Sequence, residues 1–153
     1  MVKFGIEFVP REPYWKITYY VIQAERGGFT NLWVTDHFNN RNVYVTLTTA
    51  AIYTEKLTLG PGVTNPYLVN PVFTAQAVAT LNELAPGRVV LGIGAGDKTT
   101  LDCVGVEWKK PLTAVQESVD IFRKMANGEN VVYDGEVFKI AGAKFLFRPK
   151  GKI

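Results

Sequence analysis

Two carboxylates of the sequence have the residue type and setting of proton donors. Glu7 interrupts the apolar segment VKFGIEFVP, and Asp97 follows the small residues of GIGAGDK. A carboxylic acid held in a low-dielectric pocket has a raised pKa and can donate a proton near neutral pH. The alternative for Glu7 is a carboxylate on an edge strand in water, because Glu is rarely buried without a partner.

Polar and small residues follow three further apolar segments at corresponding places. Small residues let a ligand approach the backbone closely, and a lysine offers a partner for an anion. Asp36 has an alternative role as a helix cap, and His37 has one as a structural histidine. GIGAGDK resembles part of a phosphate-binding loop, without the dinucleotide fingerprint or the P-loop spacing. The candidate residues are Asp36, His37, Gly62, Thr64, Asn65, Gly94, Gly96 and Lys98.

A regular alternation of strands and helices positions these residues. The sequence predicts strands at 2–10, 30–38, 56–63 and 88–96, and helices at 12–28, 42–56, 70–87 and 111–128. Such an alternation predicts a parallel sheet, and ligands bind at the carboxyl ends of its strands. The near-continuous apolar runs predict strands that are buried on both faces. All the candidate residues are therefore expected at one rim.

The remainder of the chain predicts a terminal β-hairpin. Asp134-Gly135 stands between two β-rich segments at about 130–140, which is a strong hairpin signal. The chain of 153 residues is expected to form a single domain, 1–153. Four strand–helix units make either half of a (β/α)8 barrel or a small open sheet, because a complete barrel takes about 250 residues.

Composition and charge exclude several classes of function. The net charge of +3 comes from 17 basic and 14 acidic residues that are mostly scattered, so no basic stripe predicts a nucleic-acid partner. One cysteine and one histidine predict neither an intrachain disulfide nor a transition-metal site. No apolar run is long enough for a signal peptide or a membrane span. A cytoplasmic protein without a membrane partner is therefore expected.

Several segments together resemble the F420-dependent methylenetetrahydromethanopterin reductases of archaea. These segments are VKFGIEFVP, VTDHFNNRNVYVTL, LGPGVTNPY, NPVFTAQAVATLNELAPGR, LGIGAGDKTTLDCVGVEWKKPL and IAGAKFLF. The resemblance extends from Val2 to about Phe147. It implies the N-terminal half of a (β/α)8 TIM barrel of the bacterial luciferase-like type, with parallel strands and the terminal hairpin.

The resemblance implies a reaction and a set of site residues. Reduced coenzyme F420, a deazaflavin, passes a hydride to methylenetetrahydromethanopterin, and the methyl product forms reversibly without a metal. Glu7 matches the candidate acid of the family, with Asp97 as a second carboxylate near the pocket. The other candidates match segments that line the deazaflavin site. Val63 joins them, because members of the family have a bulge with a cis peptide bond that here corresponds to Gly62–Val63.

Two departures from the family keep other interpretations open. Ala95 stands where the family usually has Pro, and family members are roughly twice as long, as a full barrel requires. The chain is therefore expected to form homo-oligomers or to need a C-terminal half. The alternatives are another F420- or FMN-dependent luciferase-like oxidoreductase and a non-catalytic half-barrel that self-associates.

Overall fold

A three-stranded parallel sheet forms the centre of the molecule in the computed structural model, which describes residues 2–150. Its strands are β1 (Gly5–Phe8), β2 (Asn31–Val34) and β3 (Thr58–Pro61), in the order β1-β2-β3. A separate antiparallel hairpin pairs β4 (Val131–Asp134) with β5 (Lys139–Ala143). The predicted parallel strands and the predicted hairpin are therefore both present.

Five helices connect and cover the strands in the described part of the chain. They are α1 (Tyr14–Arg26), α2 (Val43–Tyr53), α3 (Pro71–Leu84), α4 (Lys98–Cys103) and α5 (Pro111–Ala126). Asn42 and Asn70 begin α2 and α3 by accepting hydrogen bonds from the first backbone N–H groups of each helix. Four of these helices lie where the sequence predicts them, and the short α4 was not predicted. No helix among residues 2–150 is long and apolar enough to cross a bilayer.

The fourth predicted strand, 88–96, is wrong as a continuous element. It pairs with the chain around β3 through two isolated parallel bridges, Leu59–Val89 and Thr64–Ile93. Pro61 has no N–H to donate to the ladder between these bridges. The β3 side also has one more residue between the two bridges than the opposite side, which is a β-bulge. The Gly62–Val63 peptide bond lies within this bulge and is cis.

The two faces of the parallel sheet differ in burial. Leu32, Val34 and Leu59 point toward the helices and belong to the hydrophobic core. Glu7 and Trp33 occupy the opposite face, which the described residues leave partly open, so Glu7 is exposed and Trp33 is half-buried. The prediction that the strands are buried on both faces is therefore wrong for β1 and β2.

Two carboxylates fix the connections away from this open face. Glu25 of α1 accepts backbone N–H groups of residues 55–57 at 2.7 to 3.2 Å, ahead of β3. Glu117 of α5 accepts those of residues 136–138 at 2.7 to 3.1 Å, in the turn of the hairpin. Arg88 donates to the carbonyl oxygens of Ala51 and Leu57 at 3.1 and 3.0 Å. Each side chain satisfies several backbone groups that would otherwise lack partners.

Candidate functional site

The open face of the sheet brings Glu7, Trp33 and Gly62 together. Strand register places Glu7 beside Trp33, and Trp33 beside Gly60. A Cβ on Gly60 would lie 3.1 Å from Trp33 Cζ3, and one on Gly62 would lie 3.0 Å from Trp33 Cβ and 3.8 Å from Glu7 Oε1. The Glu7 carboxylate therefore borders a surface of glycine backbone that the indole supports from the side.

Trp33 was missed by the sequence analysis. The segment TNLWVTDHF predicts an apolar strand, and only the polar residues at its end are candidate site residues. The available signal was the period of two residues in a strand, which places Trp33 on the opposite face from the core residues Leu32 and Val34. The pairing of Trp33 with Glu7 depends on the register between β1 and β2, which cannot be predicted from apolar periodicity.

The bulge after β3 packs against glycines of the following segment. A Cβ on Gly92 would lie 2.2 Å from the carbonyl oxygen of Pro61, and one on Gly94 would lie 2.8 Å from Val63 Cγ2. Side chains are therefore excluded at both positions by the chain itself, whether or not a ligand approaches. Val63 is 47% exposed, so the side chain that packs over Gly94 also faces outward.

Asp36 is held behind this surface by Thr64. Thr64 Oγ1 donates a hydrogen bond to Asp36 Oδ2 at 2.5 Å, which joins the loops after β2 and β3. Burial raises the pKa of Asp36 above its ordinary value, while the hydrogen bond from Thr64 and the charge of His37 oppose the rise. The sequence alternative of a helix cap does not apply, because Asn42 caps α2.

Tyr44 lies behind the same pair of side chains and was also missed. Burial raises the pKa of its phenol, and the charge of Asp36 raises it further. Its hydroxyl lies near Thr64 and Thr74 but forms no hydrogen bond of acceptable geometry within the described residues. Tyr44 is therefore a neutral hydroxyl beside the carboxyl group of Asp36.

Thr64 and Asn65 are both buried, and their side chains are engaged within the protein. Asn65 Oδ1 accepts backbone N–H groups of Tyr67 and Leu68, each at 3.1 Å, and so shapes the loop after the bulge. Gly96 packs against this side chain and has a φ of +68°, which favours glycine. Thr64 and Asn65 therefore shape the loop and present no free side chain to the open face.

Asp97 and Lys98 lie at the start of α4 and are exposed. Asp97 Oδ1 accepts the N–H of Thr100 at 2.8 Å, and hydrogen bonds from Thr100 lower the pKa of Asp97, with a smaller contribution from the charge of His37. Lys98 Nζ pairs with Asp102 at 2.5 Å. This environment favours the ionised form of Asp97, which opposes a role as proton donor. His37 is exposed, and its charge contributes to lowering the pKa of both Asp36 and Asp97.

The segment 104–110 lies beside these loops and is attached to them by two aromatic side chains. Trp108 Nε1 donates to the carbonyl oxygen of Ala95 at 2.8 Å. The hydroxyl of Tyr67 donates to the carbonyl oxygen of Lys109 at 2.5 Å. The loop 94–96 and the loop after the bulge are therefore tied to one segment, a connection that the sequence analysis did not predict.

The arrangement is suited to a flat ligand beside an acid. The backbone of Gly62 offers a surface without a side chain, and Glu7 borders this surface. No cluster of metal-ligating side chains occurs within residues 2–150.

Comparison with known proteins identifies relatives over nearly the whole chain. The family model described as luciferase-like monooxygenase matches residues 7–153. A 5,10-methylenetetrahydromethanopterin reductase of Archaeoglobus fulgidus is 54% identical over 97% of this chain and 45% of its own length. An F420-dependent glucose-6-phosphate dehydrogenase of Kineococcus radiotolerans is 33% identical over 88% of this chain and 44% of its own length.

A solved structure supports the same relationship. The coenzyme F420 dependent tetrahydromethanopterin reductase from Methanopyrus kandleri superposes with a TM-score of 0.90 and 36% identity, over 96% of this chain and 46% of that structure. The predicted resemblance and the predicted half of a luciferase-like barrel are therefore confirmed. The chain spans a little under half the length of the curated relatives it matches.

Proposed function

The chain belongs to the luciferase-like monooxygenase family, and from this premise we propose that its protein is an F420-dependent methylenetetrahydromethanopterin reductase. Identity to a reductase of this name is 54%, against 33% to a glucose-6-phosphate dehydrogenase that also uses F420. The reaction is reversible hydride transfer that converts 5,10-methylenetetrahydromethanopterin to the 5-methyl form, as in methanogenesis or its reversal. Residues 1–153 form a single domain in this proposal, which is half of the (β/α)8 barrel and acts together with the other half.

The position of Glu7 beside Gly62 is the observation that supports this proposal most directly. The deazaflavin, when bound, supplies the hydride chemistry. The flat ring lies against the backbone at Gly62, beside Trp33 and Glu7. Gly60 is required by the chain itself, because a Cβ there would lie 2.5 Å from the carbonyl oxygen of Val90. Glu7 then protonates the nitrogen that departs when the imidazolidine ring of the substrate opens.

The remaining site residues have separate proposed roles. Asp97 is the second carboxylate near the substrate in this proposal, and its role is the negative charge that it places beside the substrate. Asp36 and Thr64 hold the bulge in place, and His37 bridges the loops on either side of the ring. The residues proposed to bind or support the cofactor are Asp36, His37, Gly62, Val63, Thr64, Asn65, Gly94, Gly96 and Lys98.

Substrate preference tests the proposed activity against the main alternative. Purified protein is incubated with reduced F420 and methylenetetrahydromethanopterin, and formation of oxidised deazaflavin is followed by absorbance. A parallel assay supplies glucose 6-phosphate with oxidised F420. Turnover in the first assay alone is expected. Turnover only in the second, or binding of neither ligand, would replace the proposal with the other oxidoreductase or with a non-catalytic half-barrel.

Replacement of Glu7 tests the proposed acid. We predict that Glu7→Gln lowers kcat by about 10²- to 10⁴-fold, because the general acid is lost while the amide keeps the shape of the side chain. Affinity for F420 changes little. Glu83→Gln, an exposed change on α3, is the matched control. Activity of Glu7→Gln equal to that of the control would remove Glu7 from the mechanism.

We also propose a homo-oligomer in the cytoplasm of an archaeon, as the resemblance implies. The helix α2 contains no charged residue and exposes Val45, Ile52 and Tyr53. An uncharged outward surface of this kind is typical of a contact between subunits. Mass measurement in solution checks the assembly, and a monomer at micromolar concentration would contradict it.

A further inference from the structure

An open cleft of about 350 Å³ lies between the loop after β1 and the loop after β2. Its lining consists of Pro10, Arg11, Asn39, Asn40 and Arg41. None of these residues belongs to the candidate site described above. The cleft adjoins that site, because the N–H of Asn40 donates to the carbonyl oxygen of His37 at 3.0 Å.

Arg41 fixes the shape of the cleft by joining its two loops. Its Nη1 donates to the backbone carbonyl oxygen of Arg11 at 2.6 Å, and its backbone N–H donates to that of Pro10 at 3.3 Å. This link between the loops involves the backbone of Arg11 and does not involve its guanidinium group. The side chain of Arg11 can therefore be changed without breaking the link between the loops.

The two guanidinium groups of the cleft have no acidic partner. Within residues 2–150, neither Arg11 nor Arg41 forms an ion pair with a carboxylate. Glu12, the acidic residue next to Arg11, is paired with Lys16 at 3.0 Å. Two positive charges without a counter-ion thus face one cleft.

Guanidinium groups and amides are the donors that recognise oxyanions. A guanidinium presents donors in a planar fork that matches phosphate and carboxylate groups. The side-chain amides of Asn39 and Asn40 add further donors to the same cleft. Its position next to His37 places the cleft at the edge of the surface that is proposed to hold the ring.

We propose that this cleft binds an oxyanion, a phosphate or a carboxylate, that belongs to a ligand of the neighbouring site. Arg11 and Arg41 hold the group from two sides, and Asn39 and Asn40 complete its donors. Only the identity of the carrier rests on the proposed function. The oxyanion site itself can be tested with simple ions.

The first experiment titrates the protein with inorganic phosphate and, separately, with succinate at constant ionic strength. The backbone amide signals of Asn39 and Asn40 are followed by NMR. We expect saturable shifts for at least one ion and about tenfold or more weaker binding in Arg11→Gln, because a charge-assisted hydrogen bond is lost. Arg26→Gln, an exposed change in the last turn of α1, should bind as the wild type does. Non-saturable shifts in the wild type, or equal affinity in Arg11→Gln, would overturn the proposal.

The second experiment identifies the carrier. If the oxyanion belongs to the cofactor, Arg11→Gln raises the dissociation constant for F420 about tenfold or more and leaves the KM of the pterin unchanged. If it belongs to the pterin, KM rises and F420 affinity stays the same. Unchanged values of both constants would contradict the link between the cleft and the site. Absence of reductase activity in the protein would contradict the proposed function. The phosphate titration would still show whether the cleft binds an oxyanion.

Discussion

At the scale of single residues, Asp36 is a partly buried carboxylate of the site, and its environment opposes its charge. Burial raises its pKa above the ordinary value of 3.8. Between that value and the higher pKa of the folded state, the folded protein binds more protons than the unfolded chain. The free energy of unfolding therefore decreases as pH rises through this window. Asp36 thus reduces stability at neutral pH relative to an uncharged side chain of the same size.

We predict that the free energy of unfolding of Asp36→Asn decreases less than that of the wild type as pH rises from 4 to 7. The amide oxygen still accepts the hydrogen bond from Thr64, and no charge has to be buried. Thermal unfolding at a series of pH values measures the effect, and the advantage of the variant should disappear at the acidic end. Asp97→Asn is the control of opposite sign, because the pKa of Asp97 is lowered and its contribution is lost as pH falls. Parallel curves for Asp36→Asn and the wild type would contradict this account.

At the scale of elements, the bulge after β3 and the segment 88–96 fit each other through small residues. A Cβ on Gly94 would lie 2.8 Å from Val63 Cγ2 and 3.8 Å from Val63 Cβ. The overlap is therefore with the tip of the Val63 side chain. Gly94 and Gly96 are candidates because small residues let a ligand approach the backbone, but a contact within the chain already requires glycine at Gly94, as it does at Gly92.

We predict that Gly94→Ala lowers the free energy of unfolding by about 1–3 kcal/mol, the usual range for overpacking. In a Val63→Ala background the same change should cost clearly less, since Cγ2 is absent. Urea unfolding of the wild type, both single variants and the double variant gives the coupling energy. A cost of Gly94→Ala that is independent of Val63 would show that the close contact is not the cause.

The segment 104–110 provides a second prediction at this scale. Trp108→Phe removes the indole N–H that bonds to Ala95, and we expect faster tryptic cleavage after Lys109 with a local loss of stability of about 0.5–1.5 kcal/mol. The next bond, Lys110–Pro111, resists trypsin because proline follows the lysine. Tyr67→Phe should act similarly, because its hydroxyl bonds to Lys109. Trp15→Phe, an exposed change on α1, serves as the control. Cleavage at the wild-type rate in both site variants would mean that these hydrogen bonds do not hold the segment.

At the scale of the whole molecule, the order of elements could be predicted because apolar periodicity is local. The helices from Pro71 and Pro111 begin at prolines and follow a clear stripe of apolar residues. The broken fourth strand could not be predicted from its own residues, since RVVLGIGAG has the composition of a strand. Its interruption depends on Pro61 and on the bulge of a neighbouring segment, which are effects of register across the sheet.

The candidate site also divides into residues that local patterns predict and residues that depend on contacts between distant segments. Glu7 is a candidate because it interrupts an apolar segment, and Asp36 and the glycines are candidates because they follow such segments. The structure places Glu7 within β1 and the others in the neighbouring loops and in the segment 88–96. Trp33, Tyr44 and Trp108 were missed because each acts through a contact with a distant part of the chain. In the described residues Glu7 is exposed on the edge strand β1, which agrees with the alternative of a carboxylate in water and not with a buried acid.

The central claim is that the loops after β1, β2, β3 and the segment 88–96 form one surface for a deazaflavin ring next to Glu7. A crystal structure of the protein with F420 bound tests it most directly. We predict ring density against Gly62 and Val63, with the Glu7 carboxyl group at the edge of the ring. Ring density anywhere else, with Gly62 and Val63 uncovered, would contradict the account.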